Sequence, residues 1–129
     1  MDDKLRKHAT IIIENAQLLL SARFGALTTY QEEFLRHILA NAEKFVHLYA
    51  AFQNATPEEI SRTMRHELGN PLTPIRGYTD LLQRPMAGRL NSRQQMSIQQ
   101  IAYSSEALRL GVLETVNNAR EAAAAIAQR

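Results

Sequence analysis

The sequence of this chain repeats itself at a fixed offset of 63 residues, and this repeat limits the possible folds more than any other feature. Adding 63 to a residue number superimposes apolar positions, a Gly-x-Leu loop and the glutamine that follows it. The matched pairs include Leu5 with Leu68, Ile12 with Ile75, Leu19 with Leu82, Gly25 with Gly88, Leu27 with Leu90, Gln31 with Gln94, and Ile38 with Ile101. Two amphipathic hairpins could resemble each other through composition alone. A loop that stays in register without a gap favours two copies of one unit instead.

Each copy contains two segments in which apolar residues recur at spacings of three and four, the period of an amphipathic α-helix. The predicted buried stripes are Leu5, Ile12 and Leu19; Gln31, Leu35, Ile38, Ala42, Phe45, Tyr49 and Phe52; Met64, Leu68, Pro71, Ile75 and Leu82; and Ile98, Ile101, Ser105, Leu108 and Val112. Capping boxes are predicted at residues 29–32 and 92–95, and the Thr56-Pro57 pair is typical of a third helix start. With only five glycines and four prolines, the chain is predicted to be all-α.

The link between the two copies, Gln53 to Thr56, is very short. It can still join one hairpin to the next, because a hairpin begins and ends at the same end of a bundle. The sequence therefore predicts one four-helix domain over residues 1–129 in up-down-up-down order, built from hairpins 1–53 and 56–129. Such a chain would be a dimer of hairpins fused into one polypeptide. A homodimer of the whole chain stays open as an alternative.

Composition excludes several classes of protein. The chain has no cysteine, so disulfides and thiolate metal sites are excluded. Its 15 basic and 13 acidic residues are interspersed, which does not indicate a nucleic-acid-binding surface. The longest apolar run is far too short for a membrane span, and no signal peptide is visible. We therefore expect a soluble cytoplasmic protein with no nucleic acid or membrane partner.

Residues 66–75 of the second copy, HELGNPLTPI, carry the candidate functional residues. His66 lies two residues from Met64 in the predicted buried stripe, hence about 200° round the helix, and should face solvent. Its imidazole can act as a nucleophile toward phosphorus, and Glu67 could accept the ring proton or hold the tautomer that leaves the attacking nitrogen unprotonated. Asn70 is one turn away on the same face and could orient water or a phosphoryl oxygen. Pro71 would free backbone groups beside them. A solvated surface His-Glu pair without activity is the alternative.

The stretch resembles the H-box of sensor histidine kinases, in the domain where they dimerise and carry the phosphorylated histidine. The family pattern His-Glu-Leu-x-Asn-Pro-Leu-Thr-x-Ile-x-Gly-Tyr/Phe-x-x-Leu-Leu matches from His66 to Leu82, and the resemblance covers the hairpin over residues 57–118. It implies a four-helix bundle of two hairpins, with His66 as the phosphoacceptor. The family's ATP-binding domain has no counterpart in these residues, and the isolated glycines form no phosphate-binding loop.

The first copy departs from the H-box at the positions that carry chemistry. The counterparts of His66, Glu67, Asn70 and Pro71 are Asp3, Lys4, Lys7 and His8. One site per bundle therefore remains. We expect His8 to be structural, and His37 and His47 to be surface residues, since neither has acidic or cysteine partners at ligand spacing.

Three functions are consistent with these features, and a fragment of a longer histidine kinase is a fourth possibility. The first is histidine phosphotransfer, in which His66 exchanges a phosphoryl group with a response-regulator receiver domain or a separate histidine kinase. The second is a phosphatase of a response regulator, with Asn70 positioning water. The third is a docking module that binds a receiver or kinase without catalysis. We expect no cofactor or metal in the chain itself, and magnesium from the partner receiver domain.

Overall fold

The computed structural model describes residues 4–128 and contains four long helices. We number them α1 (Lys4–Leu20), α2 (Thr29–Ala50), α3 and α4 (Ser92–Ala127). Helix α3 is continuous but has three parts: a first turn, Pro57–Glu59, a π-helical segment, Ile60–Met64, and an α-helix, Arg65–Leu82. A 3₁₀ turn, Pro85–Ala87, precedes α4, and no strand occurs among the described residues. The all-α prediction is confirmed.

The helices form a four-helix bundle in which α1 and α3 each pack against both α2 and α4. Every residue of the four predicted stripes is buried, including the polar Gln31 and Ser105. The largest side chains of the core, Phe45 and Tyr49, stack on each other with their ring centroids 6.1 Å apart. One chain therefore completes the bundle core. No helix within residues 4–128 combines the length and apolar character that crossing a membrane requires.

The predicted capping boxes of α2 and α4 are wrong by one residue. The N-caps are Thr28 and Asn91, not Thr29 and Ser92, and each box is closed by the glutamine three residues later, Gln31 or Gln94. Both N-cap residues have extended backbone, and their side-chain oxygens accept the backbone N–H of that glutamine. The start of α3 is found as predicted, with Thr56 as the N-cap and Pro57 in the first turn, and Glu59 completes a capping box there as well.

The two glutamines and the two N-cap residues also join the hairpins to each other. Each side chain donates a hydrogen bond to a carbonyl oxygen in the opposite loop. The pairs are Thr28 Oγ1 to Ala87 (2.7 Å), Gln31 Nε2 to Arg89 (3.1 Å), Asn91 Nδ2 to Phe24 (2.5 Å) and Gln94 Nε2 to Ala26 (3.1 Å). The last two bonds repeat the first two at the 63-residue offset, so the loops are related by a pseudo-twofold axis. We call Thr28, Gln31, Asn91 and Gln94 the loop lock.

The loop lock explains why a glutamine closes each box. The Gln31 and Gln94 side chains are 1% and 3% exposed. Their Oε1 atoms accept the N-cap N–H while their Nε2 atoms donate across to the other hairpin, so the amides are satisfied. A glutamate could accept the first bond but could not donate the second. The opposing loop therefore selects the register of both caps.

The π-helical segment at the start of α3 keeps its apolar residues over the core. In an α-helix, residues four apart drift round the axis by about 40°. A π turn contains more residues, so the drift is reversed. Ile60, Met64 and Leu68 are spaced four apart and are all buried. The segment also brings the first turns of α3 against α4, because both Pro57–Glu59 and Ile60–Met64 pack on α4.

Helix α4 is longer than α2, its counterpart in the first copy. Helix α2 ends at Ala50, whose counterpart at the 63-residue offset is Leu113, but α4 continues to Ala127. Helix α4 therefore extends beyond the region that α2 matches.

Candidate functional site

A shallow groove of about 460 Å³ runs between α3 and α4. His66, Asn70 and Thr73 line its α3 side, and Val116 and Arg120 line its α4 side. Spacings of three and four along α3 place the first three side chains on one face of that helix. Val116 is 2% exposed and closes the bottom of the groove with an apolar surface. We call this feature the α3–α4 groove.

The three predicted site residues lie at the groove or beside it. His66, Glu67 and Asn70 are all exposed. None of them makes a side-chain hydrogen bond or an ion pair with any other described residue. His66 and Asn70 line the groove together, whereas Glu67 is not part of its lining. The imidazole is therefore open to a reaction partner, and the assignment of Glu67 as proton acceptor stays a prediction.

Prolines alter the backbone of α3 next to these side chains. Pro71 and Pro74 lie inside the helix Arg65–Leu82. Since proline has no N–H, the carbonyl oxygens of Glu67 and Asn70, four residues earlier, lose their usual helical donors. The helix continues nonetheless, and the Thr73 hydroxyl donates to the Gly69 carbonyl at 3.1 Å. Two backbone carbonyls close to His66 therefore lack the usual N–H donor four residues later.

Arginines give the groove a positive charge. Arg62 and Arg65 from α3 join Arg120 from α4 in its lining, and no lining residue is acidic. Arg62 has an exposed carboxylate partner, Glu58, at 3.6 Å. Arg65 and Arg120 make no ion pair or side-chain hydrogen bond with the described part of the chain. The site therefore presents two uncompensated cations beside an exposed imidazole.

The groove continues along the bundle into a second cavity of about 210 Å³ that shares Arg65, Gly69 and Thr73 with it. Two further arginines line this cavity, Arg76 and Arg109. Unlike Arg65, both contact a carboxylate, Glu106.

Glu106 pairs with Arg76 and Arg109, the two arginines that line the second cavity but not the first. Arg109 Nε donates to Glu106 Oε2 at 3.1 Å, and Arg76 Nη2 lies 3.7 Å from the same oxygen. The hydrogen bond from Arg109 and the two positive charges lower the pKa of Glu106, against a smaller opposing effect of desolvation. The same hydrogen bond raises the pKa of Arg109.

The sequence alone did not reveal the arginine cluster around His66 in the α3–α4 groove. The residues that α3 contributes to the groove were visible as two rows at a spacing of four, Arg62-His66-Asn70 and Arg65-Gly69-Thr73. Arg120 was not, because only the packing of α4 on α3 brings it to His66. The overall mixture of basic and acidic residues therefore concealed a local excess of positive charge.

The other histidines lie outside the groove. His37 and His47 are exposed on α2, as expected. His37 stacks on Tyr78 with a centroid distance of 4.7 Å. His8 Nδ1 lies 3.3 Å from Ser104 Oγ on α4, a contact that fits a structural role. Within residues 4–128, no three His, Asp or Glu side chains come together as a group that could hold a metal ion.

In the first copy, the H-box counterparts that the structure describes show no equivalent site. Lys4 and Lys7 are exposed on α1, and His8 is half-buried against α4. Asp3, the counterpart of His66, lies outside the described residues.

Comparison with known protein families gives a match over the second hairpin. Residues 58–116 match the family described as "His Kinase A (phospho-acceptor) domain". The matched segment contains α3, the connecting loop and most of α4, with His66 near its start. The predicted resemblance is confirmed for this part of the chain.

A curated relative is the circadian input-output histidine kinase CikA of Synechococcus elongatus. It is 33% identical over 116 residues, which cover 88% of this chain and 14% of the relative's length. Because 88% of the chain is included, the similarity extends from the second hairpin well into the first. No solved structure shows a significant match to the chain.

Proposed function

We propose, from the premise that residues 58–116 belong to the His Kinase A (phospho-acceptor) family, that His66 accepts and donates a phosphoryl group. The family match assigns this hairpin to the phospho-acceptor and dimerisation role of two-component signalling. The finer proposal is that the chain works as a histidine phosphotransfer protein. Its partners would be a response-regulator receiver domain, a separate histidine kinase, or both.

The observation that carries the proposal is the state of His66 in the α3–α4 groove. Its imidazole is exposed and has no hydrogen-bond partner among the described residues. A ring nitrogen can therefore approach a phosphorus atom in line with the leaving oxygen, the geometry that phosphoryl transfer requires. The groove also supplies an amide, Asn70, and positive charge for the phosphoryl oxygens.

The transfer step would proceed as follows with a phosphorylated receiver. A ring nitrogen of His66 attacks the phosphorus of the aspartyl phosphate, and a new N–P bond forms. The P–O bond to the aspartate breaks, and its electron pair stays on the released carboxylate. Glu67, one residue away, can accept the remaining ring proton. Reversal returns the phosphoryl group, and magnesium held by the receiver would neutralise charge on its oxygens.

Incubation with labelled, phosphorylated receivers and with ATP-loaded histidine kinases tests the proposal. The label on the chain should be labile to acid and stable to base, as expected for an N–P bond. His66→Gln should abolish it and His47→Gln, another exposed histidine, should not. Exposed substitutions of this kind leave the fold intact. Label that persists in His66→Gln would refute the assignment.

Phosphatase activity is a second candidate, favoured by the position of Asn70. Its side chain is exposed, makes no hydrogen bond within residues 4–128, and lines the same groove as His66. It could position a water for attack on the receiver's aspartyl phosphate. Under this alternative, His66→Gln still dephosphorylates the receiver and the additional change Asn70→Ala stops it. Under phosphotransfer, His66→Gln alone ends every effect on the receiver.

Docking without catalysis is favoured by a different surface. Met96, Tyr103 and Leu110 lie seven residues apart on α4 and are 66%, 69% and 52% exposed. An exposed apolar row of this kind is typical of a protein-binding surface. If a receiver binds the wild-type chain but its dephosphorylation rate is unchanged, docking without catalysis is the function that remains.

A further inference from the structure

We propose that Arg65 and Arg120 clamp the phosphoryl group from both sides of the α3–α4 groove while it is transferred to or from His66. The inference rests on the proposed function, because it names the groups that hold the anion at that site. It assigns a binding role to one residue of each helix of the second hairpin.

Both arginines line the same groove as His66. Arg65 directly precedes His66 on α3, and Arg120 faces it from α4, one turn beyond Val116. Gly69 also lines the groove, and a Cβ atom added there would find no atom within 4 Å. The groove is therefore open on the α3 side next to His66. A phosphoryl group bonded to the His66 ring would occupy this space.

Charge distinguishes these two arginines from the others nearby. Arg76 and Arg109 lie against Glu106, and Arg62 lies against Glu58. Arg65 and Arg120 have no such partner among residues 4–128, and the groove lining contains no carboxylate to compete for them. An anion that enters the groove therefore meets cations that need not release another ligand first.

Arginine suits this role chemically. Its planar guanidinium donates paired hydrogen bonds that match two oxygens of a phosphoryl group. Phosphoryl transfer depends mainly on positioning and on stabilising charge on the three equatorial oxygens. Two arginines on opposite helices would hold those oxygens in place while the bond to nitrogen forms in line.

Chemical phosphorylation by phosphoramidate tests the clamp without any protein partner. A ring nitrogen of His66 attacks the phosphorus, the N–P bond of phosphoramidate breaks, and ammonia leaves with the electron pair of that bond. The initial rate of phosphohistidine formation at His66 is measured by mass spectrometry over a range of phosphoramidate concentrations. The wild-type chain is compared with Arg65→Gln, Arg120→Gln and the double variant.

We expect each single variant to lower the labelling rate roughly tenfold, as the loss of one charge-assisted contact at a partly exposed site predicts. The double variant should approach the rate of free imidazole. Arg23→Gln removes the same charge from an exposed arginine in the first loop, and it should match the wild type. Arg65→Lys should recover only part of the rate, because lysine keeps the positive charge but lacks the paired hydrogen-bond donors of the guanidinium group. Added salt should slow the wild type more than the double variant.

The results separate the clamp from the proposed function. Rates in the two arginine variants equal to those of Arg23→Gln, or no labelling of wild-type His66, would overturn the clamp. An arginine-dependent rate together with no exchange with any receiver would support the clamp and refute phosphotransfer. Exchange with a receiver that is unaffected by the double variant would support phosphotransfer and refute the clamp.

Discussion

Replacing Gly88 with alanine should destabilise the whole bundle, because Gly88 holds the loop lock in position. The backbone of Gly88 has φ 116° and ψ 163°, a combination adopted almost only by glycine. A Cβ atom at this position would lie 2.6 Å from Cγ2 of Thr28, well inside van der Waals contact. The variant must therefore strain its own backbone and displace an N-cap residue of the other hairpin.

These two effects set the expected magnitude. Holding an alanine at the glycine backbone conformation costs roughly 1–3 kcal/mol. Displacing Thr28 weakens the hydrogen bond from its hydroxyl to the Ala87 carbonyl, which contributes about 1 kcal/mol. The free energy of unfolding should therefore fall by roughly 2–4 kcal/mol. Gly25→Ala should cost a similar amount, since Gly25 has φ 126° and its Cβ would lie 2.7 Å from Asn91 Nδ2.

Urea unfolding followed by circular dichroism measures the effect, with Gly77→Ala as the control. Gly77 lies in helix α3, and an added Cβ there meets no atom within 4 Å. Alanine at this position should raise stability by about 0.5–1 kcal/mol, because it has the higher helix propensity. Leu82, the last residue of α3 before the loop that contains Gly88, lies about 24 Å along the helix from His66, so folded Gly88→Ala should be labelled normally at His66. Equal stabilities for Gly88→Ala and Gly77→Ala would refute the reasoning.

Three further predictions concern the site, the assembly and the pH dependence. Glu67→Gln should slow labelling of His66 by a receiver roughly 10²–10⁴-fold if Glu67 accepts the ring proton, and unchanged single-turnover rates would exclude that role. Light scattering should give the mass of one chain, 14.6 kDa, since one chain buries all four stripes, whereas twice that mass would show pairing between chains. Because the folded-state pKa of Glu106 is lowered, its ionised form stabilises the fold above its ordinary pKa of 4.5, and this contribution is lost as the pH falls through the lowered value. Urea unfolding at neutral and acidic pH should therefore show that the free energy of unfolding falls less on acidification in Glu106→Gln than in the wild type. Identical decreases in the two proteins would contradict the stabilising role of ionised Glu106.

The fold class was predictable from the sequence because helix burial is a periodic property. Apolar residues at spacings of three and four define one face of a helix whatever it packs against. All four predicted stripes are buried for this reason. The exposure of His66 follows from the same geometry, since Met64 and Leu68 fix the buried face of α3.

The register of the caps could not be decided locally. Thr28 and Thr29 are both followed three residues later by a side chain that can close a capping box, Gln31 and Glu32. The structure uses Thr28 and Gln31 because Gln31 must also donate to the opposite loop, which lies far away along the chain. The requirement comes from the second hairpin, so no window of sequence around α2 contains it.

The sequence by itself determined the elements of this protein: the repeat, the four amphipathic helices and the exposed His66 on the outer face of the third. The tertiary structure decided what surrounds that histidine. It placed Arg120 opposite Arg65, paired Glu106 with Arg76 and Arg109, and left Glu67 outside the groove. The physical reason is that a stripe depends on spacing within one helix, whereas a groove depends on how two helices are rotated against each other. That rotation is set by the packing of whole side chains in the core, and it is not encoded in the spacing of either helix.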